Sequence, residues 1–291
     1  MGARMRVLDW STTALGAPAT WPQSLRSTVS MLLPSKAQII LFWGPDFTGL
    51  YNDAYRPVFG AKHPSALGLP GREAWREIWD SQLRALLTGV VETGEAFWAT
   101  DLLFALERYG FPEETYFDVS YDPVRVEDGT VGGVYCIVTE TTDRVIGQRR
   151  MALLKELAER NATARTARDA CALAIATLAG STLDVTFALI DFDGVLQCCT
   201  PGAEAKLRAA PPDLVQHLSI APATGDRPGC TLVVGLSPRR PFDDQYRTFL
   251  SLVGDQVTTG LVNGYAYEEA EHRAESLAQL DRAKTAFFSN V

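Results

Sequence analysis

The chain has 291 residues, and because domains average roughly 100 to 200 residues, this length predicts two domains. Its 27 Lys and Arg against 35 Asp and Glu give a net charge of −8, which argues against a surface that binds nucleic acid. With 46% hydrophobic and 21% charged residues, the composition is that of a packed globular protein and excludes global disorder.

The apolar runs and the N-terminal segment indicate where in the cell the protein is expected. The longest apolar run, residues 37–44, falls far short of the roughly 18 residues that a membrane-spanning helix needs. Residues 1–10 carry Asp9 and polar residues where a secretory signal has its apolar stretch. We therefore expect a cytoplasmic protein without a membrane partner, whose five cysteines are free thiols.

Residues 9–92 begin with a helix and continue with a pair of strands. Apolar residues at helical spacing predict a helix within residues 9–33 that packs on the strands after it. A Gly-Pro-Asp turn separates two apolar segments, residues 38–43 and 47–51, which we expect to pair as a hairpin. Turn signals and then a helical pattern from Trp75 to Val91 predict short crossing helices.

From Glu95 onward the apolar period changes to two, which is typical of strands. The predicted strands are residues 97–108, 115–126 and 131–142. In the middle strand, alternate residues from Thr115 to Tyr121 share one face, which includes Phe117 and Val119.

The second half of the chain repeats the alternation of helix and strand. Residues 143–180 are helical in pattern and lack proline, so they predict a helical linker. Residues 201–230, rich in Pro, Gly and Ala, are predicted to form a loop with one short helix near residues 213–217. Asp243 is a predicted N-cap for a helix that continues to the end of the sequence. The predicted strands are residues 184–192, 195–200 and 231–236.

The final helix carries an apolar seam. Its members alternate in spacings of three and four, as in a heptad repeat: Leu277, Leu280, Lys284, Phe287 and Val291. A helix with such a seam must bury it, and the simplest partner is the same helix of a second copy. The seam therefore predicts a homodimer.

Several segments resemble the N-terminal PAS module of bacterial PAS-GAF sensor histidine kinases. They are Asp9-Trp10-Ser11-Thr12-Thr13-Ala14-Leu15-Gly16, Trp21-Pro22-Gln23-Ser24-Leu25-Arg26, Phe42-Trp43-Gly44-Pro45, Leu50-Tyr51-Asn52-Asp53-Ala54-Tyr55 and Gly132-Gly133-Val134. Residues 152–268 are similar to a compact GAF domain. Residues 280–291 resemble the start of a kinase dimerisation helix, which in that family continues with Ser-His-Glu.

The resemblance implies an α+β fold with two antiparallel-sheet sensor domains, PAS then GAF, joined and extended by long signalling helices. The implied segments are an N-terminal cap (1–34), a PAS domain (35–142), a helical linker (143–165), a GAF domain (166–262) and a coiled-coil-like helix (263–291). The parent is then expected to be a histidine kinase (EC 2.7.13.3), in some arrangements a hybrid one. Because the sequence stops before the acceptor histidine and the ATP-binding domain, no catalytic residue is assigned and no kinase activity is expected here.

The resemblance also implies partners and a mechanism. The partners would be a second copy, the kinase domains downstream in cis and a response-regulator receiver domain, with no nucleic acid. A ligand, light or redox signal would pass through helices to control autophosphorylation. Two alternatives stay open: a ligand-free PAS-GAF scaffold for protein interaction and dimerisation, and a thiol-based GAF enzyme whose turnover would be lost in Cys199→Ser.

The first domain is dense in aromatic residues, which indicates either a pocket for a flat ligand or a filled core. Asn52 can orient a ligand or cap the following helix. The candidate ligand-pocket residues are Trp43, Tyr51, Asn52, Tyr55, Trp75, Trp79, Phe117 and Cys136.

The sequence leaves the cofactor unidentified, with non-covalent flavin or haem open. A flavin-adduct cysteine is absent from residues 68–73, and the first 100 residues hold no cysteine for a bilin. His63 can bind haem iron or satisfy a turn. Neighbouring residues on a strand point to opposite faces, so Cys198 and Cys199 do not predict one metal site.

The junction after the third long strand is the candidate for signal transmission. Its residues are Glu140, Thr141, Thr142 and Asp143, and the resemblance implies that a polar network there passes a change from the sheet to the exiting helix. On the final helix the corresponding candidates are Leu277, Leu280 and Phe287.

Overall fold

A computed structural model describes residues 1–221 and 228–289. The chain divides into two compact units, Met1–Val145 and Ile146–Val291. Among the described helices, none combines the length and the apolar character needed to cross a bilayer.

The first unit has the predicted order of a helix, two strands, short helices and three strands. The helices are α1 (Gly2–Val7), α2 (Gln23–Leu32), α3 (Arg56–Phe59), α4 (Gly71–Ala74) and α5 (Arg84–Thr93). The strands are β1 (Gln38–Trp43), β2 (Thr48–Tyr51), β3 (Phe97–Leu106), β4 (Glu113–Arg125) and β5 (Val131–Glu140). They form one sheet, antiparallel throughout, in the order β2-β1-β5-β4-β3.

The burial of this sheet follows from patterns visible in the sequence. On β4, Phe117, Val119 and Tyr121 alternate with less buried polar residues, as predicted, and face the core. The opposite face is covered over β1 by α2, whose Leu25 and Leu32 are buried. Polar residues on the exposed side of α2 let it lie at the surface.

The region from Trp75 to Val91 is helical in separate pieces. After α4, the backbone leaves helical geometry at Trp75 and again at Ile78. A π-helical turn, Trp79–Leu83, then leads directly into α5. This interruption lets Trp75 and Ile78 both turn into the core, where they are buried.

The second unit holds a four-stranded antiparallel sheet and, among the described residues, three helices of its own. The helix α6 (Thr142–Asn161) begins in the first unit and ends in the second. The other helices are α7 (Ala167–Leu178), α8 (Ala203–Ala209) and α9 (Asp244–Ser289). The strands are β6 (Val185–Phe192), β7 (Val195–Cys199), β8 (Val215–Ala221) and β9 (Cys230–Leu236), and they pair in the order β7-β6-β9-β8.

Three sequence predictions for this half were wrong in detail. The helical pattern of residues 143–180 is broken at 162–166, where Thr166 accepts a hydrogen bond from the Asp169 amide and starts α7. The segment 203–209, predicted as loop, is the helix α8, and its Ala, Glu, Lys, Leu and Arg residues all favour helix.

The third wrong prediction is the short helix at residues 213–217. Only Pro212–Leu214 form a 3₁₀ turn, and the chain then enters β8, which pairs with β9. The neighbouring prolines and glycines favoured a loop prediction, although residues 215–221 form a strand. The predicted N-cap of the last helix is confirmed, because the Tyr246 amide donates to Asp243 Oδ1 at 2.9 Å.

Candidate functional site

The first unit encloses a small apolar cavity between its sheet and its short helices. Its volume of about 30 Å³ holds water, for which roughly 10–15 Å³ suffices, but is far below the roughly 300 Å³ of a usual ligand pocket. The lining residues are Phe42, Tyr55, Val58, Trp75, Ile78, Leu83, Phe104, Leu106, Phe117, Val119, Tyr121 and Val138. A flavin or a haem does not fit in this volume.

The cavity has a few polar groups in its wall. The Trp75 indole nitrogen is buried and has no hydrogen-bond partner among the described residues. Burial raises the pKa of the Tyr55 and Tyr121 hydroxyls well above the ordinary value, so both stay protonated. The wall is therefore neutral, with hydroxyl and indole groups as its polar features.

Of the predicted ligand-pocket residues, Tyr55, Trp75 and Phe117 line this cavity. Ring packing accounts for most of the aromatic density around it. Phe59 stacks on Trp75 at a centroid distance of 4.5 Å and contacts Tyr51 at 4.6 Å. These contacts fill the core with side chains and leave little room for a ligand.

Asn52 lies outside the cavity wall, and its side chain hydrogen-bonds to backbone groups. Its Oδ1 accepts from the amides of Ile39 at 3.3 Å and Tyr55 at 3.0 Å. Its Nδ2 donates to the carbonyls of Leu32, Ser35 and Ala37. With every polar atom of the amide engaged, Asn52 caps the following turn and has no hydrogen-bonding capacity left for a ligand.

Trp43 and Trp79 also lie outside the cavity, each against a glycine. A Cβ on Gly133 would come within 2.6 Å of the Trp43 ring, and one on Gly71 within 2.6 Å of the Trp79 ring. The missing side chains create the space that these rings occupy. Both tryptophans therefore contribute to packing near the turn of the β1–β2 hairpin.

The remaining two predicted pocket residues, Tyr51 and Cys136, also lie outside the cavity lining. The Tyr51 hydroxyl hydrogen-bonds to His63 Nδ1 at 2.9 Å, and burial raises the pKa of Tyr51 to about 12. This contact orients His63 outside the cavity wall, so it is not placed to ligate a haem there. Cys136 is fully buried in β5, and burial raises the pKa of its thiol.

The predicted junction is held by a buried ionic group. Arg108, just after β3, donates from Nη2 to Glu113 Oε2 and from Nη1 to Glu140 Oε2, each at 2.9 Å. Arg108 and Glu113 are almost fully buried. A buried charge needs a partner, so Arg108 fixes the last residue of β5 to the β3–β4 turn.

The two threonines extend this group into α6. Thr142 Oγ1 donates to Glu140 Oε1 at 2.9 Å and accepts from the Tyr116 amide at 3.0 Å. The Thr141 amide donates to the Tyr116 carbonyl at 2.8 Å. The start of α6 is thereby hydrogen-bonded to Tyr116, near the beginning of β4. Asp143 lies in the first turn of α6, where a carboxylate interacts favourably with the helix dipole.

Asp101, which the sequence pattern did not predict as a site residue, completes this network. It occupies an irregularity in the β3–β4 pairing, with a left-handed φ of 51°, and its amide donates to Asp118 Oδ1 at 2.9 Å. Its carboxylate accepts from Thr141 Oγ1 at 2.7 Å and pairs with Arg144. The Thr141 hydrogen bond and the Arg144 charge lower the pKa of Asp101. The polar pair Thr100-Asp101 inside an apolar strand was the available signal.

The seam predicted on the last helix is exposed where it is described. Leu277 and Leu280 are each 67% exposed on α9. The side chain of Phe287, and Val291, lie outside the described residues. The described part of the seam therefore leaves two large apolar side chains in solvent.

In the second unit, a buried ionic group holds α6 to the sheet. Arg149 and Arg150 donate from Nε to the two oxygens of Asp184, at 2.7 and 2.9 Å. The Arg150 guanidinium lies 4.4 Å from the Tyr246 ring centre, and the Tyr246 hydroxyl donates to the Asp184 carbonyl. The sequence pattern did not predict this group, because its members are far apart in the chain.

The cysteines of β7 point to opposite faces, as predicted. Cys198 packs on the core between the sheet and the helices α7 and α9, and Cys199 packs on the smaller cluster beneath α8. Among the residues that the structure describes, no group of three or more His, Cys, Asp or Glu is arranged to hold a metal ion.

Comparison with known proteins assigns the first unit. Residues 33–146 match the family described as PAS fold. They form a PAS domain. This domain is built from a five-stranded sheet with short helices packed against it.

Similar solved structures include three bacterial proteins. A PAS domain from Colwellia psychrerythraea is 12% identical, with 41% of this chain and 98% of that one covered at a TM-score of 0.33. A sensory box sensor histidine kinase from Vibrio cholerae is 18% identical, with coverages of 40% and 89% and a TM-score of 0.28. The PAS domain of Bordetella pertussis BvgS is 20% identical, with coverages of 45% and 96% and a TM-score of 0.35.

Proposed function

We propose that this chain is the sensory input region of a two-component histidine kinase. In this proposal the PAS domain is followed by a GAF domain in the second unit, and α9 leads into the dimerisation helix of the kinase. The observation that carries the proposal is the polar network that ties the PAS sheet to the first turn of α6. A sensor requires such a connection between its core and its exiting helix.

The network offers a physical route for a signal. Glu140 and Thr142 fasten the start of α6 to β3 and β4, and Asp101 fastens Thr141 and Arg144 to the irregular point of β3. A small change in sheet packing alters these contacts together, because they share residues. A preference of a few kcal/mol for one arrangement is enough to shift the population of α6 between two positions.

The output in this proposal is a pair of α9 helices. Leu277 and Leu280 are large, apolar and exposed, and they recur at the spacing of a heptad seam. A second copy of the chain would bury them by forming a parallel coiled coil that continues into the kinase. Regulation would then act on the geometry of this pair and hence on autophosphorylation.

A ligand-free interaction module is the second candidate function, and the cavity volume favours it. A space of about 30 Å³ admits water-sized molecules only. In this alternative, the PAS sheet and the helices assemble partners without sensing a small molecule. The two functions differ in whether a change in the PAS domain alters the output.

The test is autophosphorylation of the chain joined in frame at its C-terminus to the dimerisation and ATP-binding domains of a histidine kinase. We expect Glu140→Gln and Thr142→Val to change the rate by about fivefold or more, because each releases α6 from the sheet. Glu92→Gln, an exposed change in α5, is the matched control. Unchanged rates in both network variants, with the fold intact, would favour the interaction module.

A further inference from the structure

The N-terminal segment of the first unit forms an open apolar groove that shares no lining residue with the cavity. The groove lies between α1, α2 and the chain that joins them, and its volume is about 480 Å³. Usual small-molecule sites span roughly 300–1,000 Å³, so this groove, unlike the cavity, has room for a ligand. Its large apolar lining residues are Met5, Leu8, Trp10, Trp21, Val29 and Leu33.

The groove uses a face of α2 that the sheet leaves uncovered. Leu25 and Leu32 are seven residues apart, so they share one side of the helix, and both are buried where α2 covers β1. Val29 and Leu33 are four residues apart, lie on the neighbouring face and are only partly buried. This second apolar face of α2 is therefore available to an apolar ligand.

The two tryptophans of the groove have their indole nitrogens bound by backbone groups. Trp10 Nε1 donates to the Met5 carbonyl at 2.7 Å, and Trp21 Nε1 donates to the Gly16 carbonyl at 3.0 Å. The two rings meet edge to face with their centres 5.0 Å apart. What the rings present to the groove is therefore carbon surface, which suits a hydrocarbon chain.

Two charged side chains, Arg6 and Asp9, complete the lining. Asp9 Oδ1 accepts from the amide and the hydroxyl of Ser11, at 3.1 and 2.6 Å. The Arg6 guanidinium makes no ion pair or hydrogen bond with any residue that the structure describes. A Cβ on Gly2 would lie 3.8 Å from Arg6 Nη1 and 3.8 Å from Leu33 Cδ1, so this unpaired cation borders the apolar wall.

We propose that this groove binds a small amphiphile with an anionic head, of the class of free medium-chain fatty acids. The acyl chain would lie against the tryptophan rings and Val29, and the carboxylate would pair with Arg6. Apolar contact would supply most of the affinity, whereas the ion pair, which stays near solvent, would select the head group. The site does not depend on the proposed kinase function, because the groove and the measurement that detects its ligand belong to the first unit alone. Its failure and the failure of the signalling proposal are therefore separate results.

The test is nuclear magnetic resonance of the full chain with nitrogen-15 tryptophan, titrated with decanoate below its micelle concentration. The six tryptophans give six indole signals, which single Trp→Phe variants assign. We expect the Trp10 and Trp21 signals to shift in a saturable manner. The signals of the other tryptophans should stay in place, including that of Trp75 in the cavity wall.

Two variants separate the roles of charge and apolar wall, with 1-decanol as the uncharged probe of the same chain length. Arg6→Gln should weaken decanoate binding about fivefold and leave 1-decanol binding unchanged, because only the carboxylate uses the cation. Arg4→Gln is the matched control, since Arg4 is exposed on the same helix but does not line the groove. Val29→Asp should abolish binding of both probes, because it places a charge in the apolar wall.

The proposal is overturned if the wild-type Trp10 and Trp21 signals do not shift, or if the shifts are confined to Trp75, which would place the ligand in the cavity. An unchanged affinity of Arg6→Gln for decanoate, or an equal loss in Arg4→Gln, would also overturn it. If decanoate has no effect and Val29→Asp dissociates the chain, a second copy covers the groove instead. The wild-type titration needs no variant at position 29, so poor folding of Val29→Asp would not prevent the test.

Discussion

At Asn52, a single buried amide joins three stretches of backbone in the PAS domain. Its five hydrogen-bond partners lie between Leu32 and Tyr55. Each backbone group it satisfies is at least partly buried away from water, where an unpaired polar group costs about 1–3 kcal/mol. Asn52 therefore stabilises the fold by capping the following turn and by connecting these backbone segments.

We expect Asn52→Ala to lower the free energy of unfolding of the first unit by about 3 kcal/mol, because several backbone groups lose their partner together. Tryptophan fluorescence during urea unfolding reports this unit selectively, since all six tryptophans lie within residues 10–98. Gln23→Ala, on the surface of α2, is the control. A loss below about 0.5 kcal/mol would contradict the capping role.

Asp101 should make the junction sensitive to acid. Its pKa is lowered from the ordinary 3.8, chiefly by the Thr141 hydrogen bond, so its stabilising effect is present above that value and is lost as pH falls through the lowered pKa. We expect the difference in melting temperature between wild type and Asp101→Asn to shrink as pH falls from about 7 to about 3. Asp80→Asn, an exposed acid, is the control. A difference that stays constant over this range would refute the assignment.

At the scale of elements, α6 contains one arginine in a buried ion pair and one arginine in an exposed ion pair. Arg150 is 8% exposed and shares Asp184 with Arg149, whereas Arg160 pairs with Glu156 near the surface. A buried carboxylate that loses a partner is strongly destabilised, while an exposed pair contributes little. The same substitution at the two positions therefore distinguishes the effect of burying the ion pair from the effect of removing a charge.

We expect Arg150→Met to destabilise the second unit by about 3 kcal/mol and Arg160→Met by about 0.5 kcal/mol or less. Hydrogen exchange of the α6 and α9 amides, followed by mass spectrometry, measures the two effects on this unit, which has no tryptophan. Equal losses of protection in the two variants would show that the Asp184 group does not anchor α6.

At the scale of the whole molecule, the exposed seam of α9 predicts self-association. We expect the chain to be a dimer by sedimentation equilibrium. Leu277→Glu with Leu280→Glu should shift it to a monomer, because both changes place charge in the seam that a second copy would bury. Gln279→Glu, an adjacent exposed position on the same helix, should leave the dimer intact. A monomeric wild-type chain would remove the basis of the proposed output.

Periodicity in the sequence was sufficient for the strands of the PAS domain, the N-cap at Asp243 and the opposite orientation of Cys198 and Cys199. These features depend on neighbours within a few residues, whose spacing is written directly in the chain. The helix break at 162–166 and the strand β8 were missed because caps and edge pairing compete with local composition there.

The composition and geometry of the cavity and of the buried ionic groups were decided by tertiary structure. Which aromatic side chains line the cavity, how little space they leave and how Asp101, Arg108 and Asp184 find their partners all depend on residues brought together from distant segments. Local sequence determines which face of a strand or helix is buried. Only packing determines which buried groups meet, because a hydrogen bond or a cavity is set by the positions of several elements at once.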